Sequence, residues 1–306
     1  MTTPSLLATL ATGEAEKDLR LLLFSLALWN PTPPKVYLAC DTAIAKAASS
    51  FGYPGKLVTR VCLDSYAGRS RQEMEKTPGK IFGSQWFDFM AEKISLMEAV
   101  FQKEKKAADD GVFFCDADIC FLAPLPQIPD ATLAAFSPHD IKPADEAKYG
   151  RYNGGYLWVS DPAVLQSWRE ACRTSTFYEQ KALEGVAAAV RAADPDGALY
   201  EFPRTNNYGW WRMWQGTQHP MELQREWTMN RHKAAGGSGI LLDGAPIVSV
   251  HTHFWERRDQ ATAVFNDWVV SWLRRISGGH PPTRRLLGYL EKQGVHVPPA
   301  EGPRAA

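Results

Sequence analysis

Four apolar residues run without a break into two aspartates at Val112-Phe-Phe-Cys115-Asp116-Ala-Asp118. A short apolar run of this kind reads as a buried strand, and the strand ends where the carboxylates begin. In open α/β sheets, ligands bind beyond the carboxyl ends of strands. Two carboxylates placed there repel and desolvate unless they meet a cation. A hard-oxygen pair suits Mg²⁺ or Mn²⁺, and such an ion can in turn hold a diphosphate. The stretch therefore predicts a metal-dependent site for a phosphorylated ligand in the middle of the chain.

The remaining pattern predicts what carries that strand. Ser5–Thr12, Lys35–Cys40 and Lys56–Leu63 read as strands, alternating with helices over Glu14–Trp29, Thr42–Phe51 and Phe87–Lys106. Such alternation implies βαβ units and a mainly parallel sheet flanked by helices. Residues 64–84 read as a surface excursion, and Pro138–Arg151 as a charged, irregular loop able to close over a ligand. Strands follow at Leu133–Phe136, Tyr152–Val159, Ile240–Leu242 and Ile247–His253, with helices at Pro162–Arg173, Glu179–Ala193 and Phe265–Ile276. Beyond Gly278 the chain turns Pro-rich around a short helix near Thr283–Gln293. The simplest organisation is one domain over 1–277 with an extension over 278–306.

Bulk properties remove several classes of function. The chain has 306 residues with 34 basic and 34 acidic side chains. This balance gives no footprint for strong nonspecific binding to nucleic acid. The basic residues Arg274, Arg275, Arg284 and Arg285 read as a solvated helix face. Cys40, Cys62, Cys115, Cys120 and Cys172 show no zinc-ligand spacing, so reduced thiols are expected. The N-terminus lacks a basic n-region, and the apolar run Leu21–Trp29 is too short to span a bilayer. These features predict a soluble cytoplasmic protein with no transmembrane segment.

Four stretches, in order, resemble the GT-A class of nucleotide-sugar glycosyltransferases, and most closely its glycogenin-like and galactosyltransferase-like retaining families. Glu92-Lys93-Ile-Ser-Leu-Met resembles the helix whose lysine contacts the donor, and Phe114-Cys-Asp116-Ala-Asp118-Ile resembles the DxD strand end. Tyr152-Asn153-Gly154-Gly155 resembles the strand entry lining the donor sugar pocket, and Glu179-Gln180 sits where these families carry an Asp-Gln pair. Val250-His251-Thr-His253-Phe-Trp-Glu-Arg257 resembles the C-terminal metal-binding motif, whose basic residue six positions after the His touches the diphosphate. Phe254 replaces the glycine of that motif, and Arg257 its lysine. The aromatic residue that usually ends the first strand is missing from Ala11-Thr12-Gly13.

The resemblance implies transfer of a sugar, with retention, from a nucleoside diphosphate sugar such as a UDP-sugar to a hydroxyl of a glycan or other acceptor. It implies that Asp116, Asp118 and His251 or His253 hold Mn²⁺ or Mg²⁺. Thr9, Ala11, Thr12, Lys93, Asp116, Ala117, Asn153, Gly154, Gly155 and Arg257 would bind the donor. Glu179 and Gln180 would join Asp116 and Asp118 at the reaction centre. The cluster Asn206, Asn207, Trp210, Trp211 and Trp214 suits an acceptor platform, since flat aromatic faces stack on sugar rings and amides read hydroxyls. Should transfer invert, Asp140, Asp145 and Glu179 are the candidate bases.

Each signal has a plainer reading: Lys93 as a surface charge, the histidines as core-edge residues, the glycines as a turn, the tryptophans as packing. Two other functions stay open. One is a phosphatase of the haloacid dehalogenase class, whose Asp-x-Asp normally follows the first strand. The other is a sugar-nucleotide-binding or glycan-binding protein without catalysis.

Overall fold

The computed structural model describes residues 1–104, 110–194, 198–230, 236–255 and 260–297. Its central sheet has seven strands. They are β1 (Leu6–Ala11), β2 (Lys35–Cys40), β3 (Leu57–Val61), β4 (Val112–Cys115), β6 (Ala134–Pro138), β7 (Tyr152–Val159) and β8 (Leu199–Glu201). The spatial order is β3-β2-β1-β4-β7-β6-β8. Only β7 runs against its neighbours; the β3-β2-β1-β4 half and the β6–β8 pair are parallel. The expected helix-flanked, mainly parallel sheet is what forms.

The strands at the centre read as unbroken apolar runs because both of their faces are covered. One face packs Ala8, Phe114, Phe136 and Leu157 against α4 (Gln85–Lys103), α6 (Pro162–Ala171) and α7 (Tyr178–Ala193). The other face packs Leu7, Phe113 and Tyr156 against α1 (Glu16–Trp29). Beyond Asp118 the chain leaves this sheet and starts a small second one. Its strands are β5 (Ile119–Phe121), β13 (Ser249–His251) and β9 (Tyr208–Gly209), with β13 in the middle. Helix α1 covers the outer strand: Ser25 Oγ accepts the Phe121 N–H, and Trp29 Nε1 donates to the Phe121 carbonyl.

The surface excursion over 64–84 and the loop expected to be irregular over Pro138–Arg151 both contain helices. Arg71–Lys76 (α3) starts from a capping box between Ser70 and Glu73. Pro143–Tyr149 (α5) starts with proline in its first turn, where the missing N–H costs nothing. A third sheet, β10 (Trp227–Met229), β11 (Ile240–Leu242) and β12 (Ala245–Pro246), packs with α10 (Gln260–Ser277). Helix α11 (Pro281–Lys292) lies on the same cluster through Leu286, Leu287 and Leu290, with Tyr289 stacked on Phe24 of α1. The remaining short helices are α2 (Thr42–Ala47), α8 (Arg212–Gln215) and α9 (Pro220–Glu226). Among the described residues, no helix is long and apolar enough to cross a membrane, and all five cysteines are free.

Candidate metal and ligand site at the end of β4

The small sheet brings residues from opposite ends of the chain together. His251 pairs with Ile119 across the β5–β13 ladder, and Thr252 donates from its N–H and its Oγ1 to the Asp118 carbonyl. The clamp fixes Asp118 against the two histidines that follow Val250. Asp118 Oδ1 lies 3.0 Å from His251 Nε2, and Oδ2 lies 3.0 Å from His253 Nδ1. One ligand atom from each of the three residues falls within 4.8 Å of the others.

The protons in this site follow from a chain of side chains anchored on the backbone. The Gly155 N–H donates to Asn153 Oδ1 at 2.9 Å, so that atom is an acceptor. Asn207 Nδ2, 3.1 Å from the same oxygen, is therefore the donor, and it also reaches Ser137 Oγ. This orients Asn207 Oδ1 toward His251 Nδ1 at 3.0 Å, and the imidazole must donate from Nδ1. The lone pair of a neutral His251 then sits on Nε2, facing Asp118 Oδ1. That oxygen is buried and has no hydrogen-bond partner. Electron pairs from a carboxylate and an imidazole thus converge on one point and call for positive charge.

A proton or a metal ion can meet that need. Burial pushes Asp118 up, but His251 and His253 outweigh it and hold the carboxyl well below the usual carboxylate range. Burial likewise opposes charge on His251, while Asp118 outweighs it and raises the imidazole above its ordinary value. One carboxylate with two imidazoles is a donor set that suits Mn²⁺ and related divalent ions, so these residues fit such an ion.

The far end of the anchoring chain is also held by backbone. Asn153 Nδ2 faces His139 Nε2 at 3.2 Å, and His139 Nδ1 donates to the Gly150 carbonyl at 3.0 Å. Burial lowers the His139 imidazole to about 4, which keeps it neutral. Asn207 adopts a left-handed backbone (φ 52°), a conformation that asparagine tolerates better than most residues.

Asp116 faces elsewhere. Its Oδ1 lies 3.7 Å from Lys93 Nζ, and that ammonium donates to Glu179 Oε1 at 2.8 Å and to the Gly154 carbonyl at 3.0 Å. Lys93 has no exposed surface at all. Burial opposes its charge, yet Asp116 and Glu179 raise it above the ordinary lysine value. Lys93, expected to bind the donor, is thus not the surface charge of its plainer reading but a buried counter-ion to Asp116 and Glu179. The adjacent glycines make room for those carboxylates. A Cβ at Gly155 would run into Asp116, and one at Gly154 would meet Glu179 Oε1 at 2.7 Å.

Other predicted residues divide. Gln180 joins the site's rim, accepting from the Gly154 N–H and donating to the Tyr149 carbonyl. Ala11, Thr12 and Ala117 lie at the carboxyl ends of β1 and β4, and Thr9 is fully buried within β1. Arg257 lies outside the described residues. The Asn/Trp cluster does not form one platform. Asn206 is buried and accepts from Tyr156 OH, and Asn207 belongs to the anchoring chain. Trp211 is buried edge-on against His251 and His139, with its Nε1 donating to the His139 carbonyl. Trp210, beside His253, keeps partial exposure, and Trp214 is exposed. Ser137 and His139 were not singled out from the sequence. Their only signal is position, at the end of β6 beside β7, where a register shift between Phe136 and Ser137 sets Ser137 opposite Asn153.

No protein-family profile and no curated protein matches the chain. Solved structures with a similar course of chain include mouse xyloside xylosyltransferase 1, at 10% identity and a TM-score of 0.46, over 82% of this chain and 98% of that one. The glycosyltransferase GlyE of Streptococcus pneumoniae overlaps at 11% identity and 0.47, over 97% and 65%. The galactosyltransferase LgtC, solved with donor and acceptor sugar analogues, overlaps at 13% identity and 0.46, over 87% and 95%. Overlaps this distant describe the path of the backbone and leave the chemistry to the residues at the sheet edge.

Proposed function

We propose that this chain is a metal-dependent glycosyltransferase of the GT-A type, moving a sugar from a nucleoside diphosphate sugar, a UDP-sugar first among them, to an acceptor hydroxyl. The observation that carries the reading is the convergence of Asp118, His251 and His253 beyond the carboxyl end of β4. Asp118 with His251 and His253, joined by Asp116 on ligand binding, would hold Mn²⁺ or Mg²⁺. That ion would neutralise charge developing on the diphosphate leaving group. Asp118 and the imidazoles supply the fixed donors, and the Asn207–Asn153–His139 chain keeps His251 in one tautomer. Lys93 holds Asp116 and Glu179 in place beneath the donor sugar.

Retention is the outcome this reading favours. Glu179 is 1% exposed and engaged by Lys93, and Asp140 is engaged by Arg212 at 2.9 Å, so two of the three candidate bases for inversion are occupied. The phosphatase alternative is less favoured. The aspartates follow the fourth strand, and a histidine pair beside them suits a metal-bound diphosphate better than a nucleophilic carboxylate.

The test is a donor-hydrolysis screen with UDP-, GDP-, ADP-, CMP- and TDP-sugars, each with Mn²⁺, Mg²⁺ or EDTA. Metal-dependent nucleotide release from one donor, lost in Asp118→Ala, is the expected result. Phosphate release from generic phosphoesters, with no donor used, would replace this reading with the phosphatase. Metal-dependent nucleotide binding without release, acceptors included, would replace it with the binding protein.

A further inference from the structure

A cavity of about 370 Å³ lies beside the site, walled by Asp140, Glu146, Arg151, Arg204, Arg212 and Leu223 among others. Two dipeptides build both places at once. Trp211 packs edge-on against His251 and His139 joins it through the asparagine chain, while their neighbours Asp140 and Arg212 line the cavity. The dipeptides are joined twice, by Trp211 Nε1 to the His139 carbonyl at 3.0 Å and by Arg212 Nη2 to Asp140 Oδ2 at 2.9 Å. The cavity therefore lies on the opposite side of a single layer of side chains from His251.

Its centre of charge is Arg212. The side chain is 2% exposed, lies over the Tyr208 ring at 4.5 Å, and has Asp140 as its one ion-pair partner among the described residues. Its Nε and Nη1 are buried and without a hydrogen-bond partner. Unpaired donors on a buried guanidinium are costly, and a second oxyanion is the group that removes the cost. Burial lowers the guanidinium below its ordinary value despite Asp140, which marks the compensation as incomplete. Arg204 stands on the same wall, with Glu226 at 2.8 Å as its near partner and Asp140 only at 3.9 Å. Arg151 is held at 2.8 Å by Glu201. The volume suits one sugar-sized unit rather than a whole nucleotide sugar.

We propose that this cavity is an oxyanion subsite for the acceptor, in which Arg212 and Arg204 bind a carboxylate or phosphate group that the acceptor carries. The inference rests on the glycosyltransferase reading only for the word acceptor; the anion site itself stands on Arg212. An acidic sugar and a sugar phosphate present the same planar or tetrahedral oxygens to a guanidinium fork. No covalent step occurs here: the cavity orients the acceptor, and the reacting hydroxyl lies on the far side of Trp211.

The test uses the full chain with metal chelated by EDTA, so that the Asp118 site contributes nothing. Calorimetric titration with D-glucuronate, with inorganic phosphate and with neutral D-glucose is carried out on the wild type and on Arg212→Gln, Arg204→Gln and, as a distant control, Arg284→Gln. Saturable binding of glucuronate or phosphate but not glucose is expected. It should weaken roughly tenfold or more in both cavity variants and stay unchanged in the control. The tighter of the two anions identifies the acidic group. Arg204→Gln is a partly exposed position, so it reads the cavity even if Arg212→Gln fails to fold. Absence of anion binding, or binding equal in the cavity variants and the wild type, would overturn the proposal. Neither result depends on donor hydrolysis, so this inference and the functional reading fail separately.

Discussion

The two aspartates of one Asp-x-Asp unit meet opposite surroundings. Asp116 faces a positive charge that the protein supplies itself, the buried ammonium of Lys93, which Glu179 shares. Asp118 faces two imidazoles at 3.0 Å, and the lone pair of a neutral His251 points at its buried Oδ1. The first carboxylate is neutralised from within, and the second is left for something that arrives. Alternate side chains around a strand end point to opposite sides, so a spacing of two would place them alike. Here the turn at Asp116–Asp118 parts them, one toward α4 and α7, the other toward the small sheet.

The strongest way to break this contrast is to remove one charge from each side, Lys93 beside Asp116 and then Asp118 itself, without metal present. Lys93→Met leaves Asp116 and Glu179 uncompensated and should destabilise the protein by about 3–5 kcal/mol in urea unfolding. Asp118→Asn should cost much less in the same metal-free assay, because the partners it leaves are imidazoles, which can shed a proton and stay neutral, rather than buried charges. Equal losses in the two variants would erase the distinction.

Next in size is the pH response of His139. Its imidazole is lowered to about 4 by burial, so an unfolding chain takes up a proton that the folded chain refuses. Stability is full above the ordinary imidazole value near 6.5 and falls as pH drops toward 4, by up to roughly 3 kcal/mol. His139→Gln should flatten that part of the stability curve. Parallel curves for the variant and the wild type would show that His139 does not titrate in this way.

The smallest effect sharpens the Asp118 side. Asn207→Ala frees Nδ1 of His251 and should weaken Mn²⁺ binding by roughly 10–100-fold, with native circular dichroism retained. Unchanged affinity would mean that His251 needs no fixed tautomer to do its part.

The strands of the central sheet were the most legible features. Lys35–Cys40 and Tyr152–Val159 form over the residues that their apolar runs mark, as does Ile240–Leu242 in the third sheet. The strands β5 and β9 were missed because two or three residues carry no periodicity. They exist only through β13, more than forty residues further along the chain from either. Helix α3 has a signal the sequence reading passes over: Ser70 and Glu73 have the capping spacing, but six residues with Met74 alone apolar show no hydrophobic face. Asp118 and the two histidines could be named from the sequence, since strand ends and motif order point to them. The pairing of Lys93 with Glu179 could not, because a lysine on a helix reads as solvated until the opposite helix is in place. The Trp-rich stretch misled for a related reason. Trp211 and Asn206 look like surface recognition residues, yet packing turns both inward.

The double hydrogen bond from Thr252 to the Asp118 carbonyl joins residues 134 positions apart. Ribosomes release a chain from its N-terminus at roughly 5–20 residues per second, and domains begin to fold as they emerge. The last strand of the central sheet ends at Glu201, well before His251 has been made. A nascent chain can thus complete its seven-stranded core some seconds before it has any site for a metal. Over that interval Asp118 waits without the two imidazoles it meets in the finished fold.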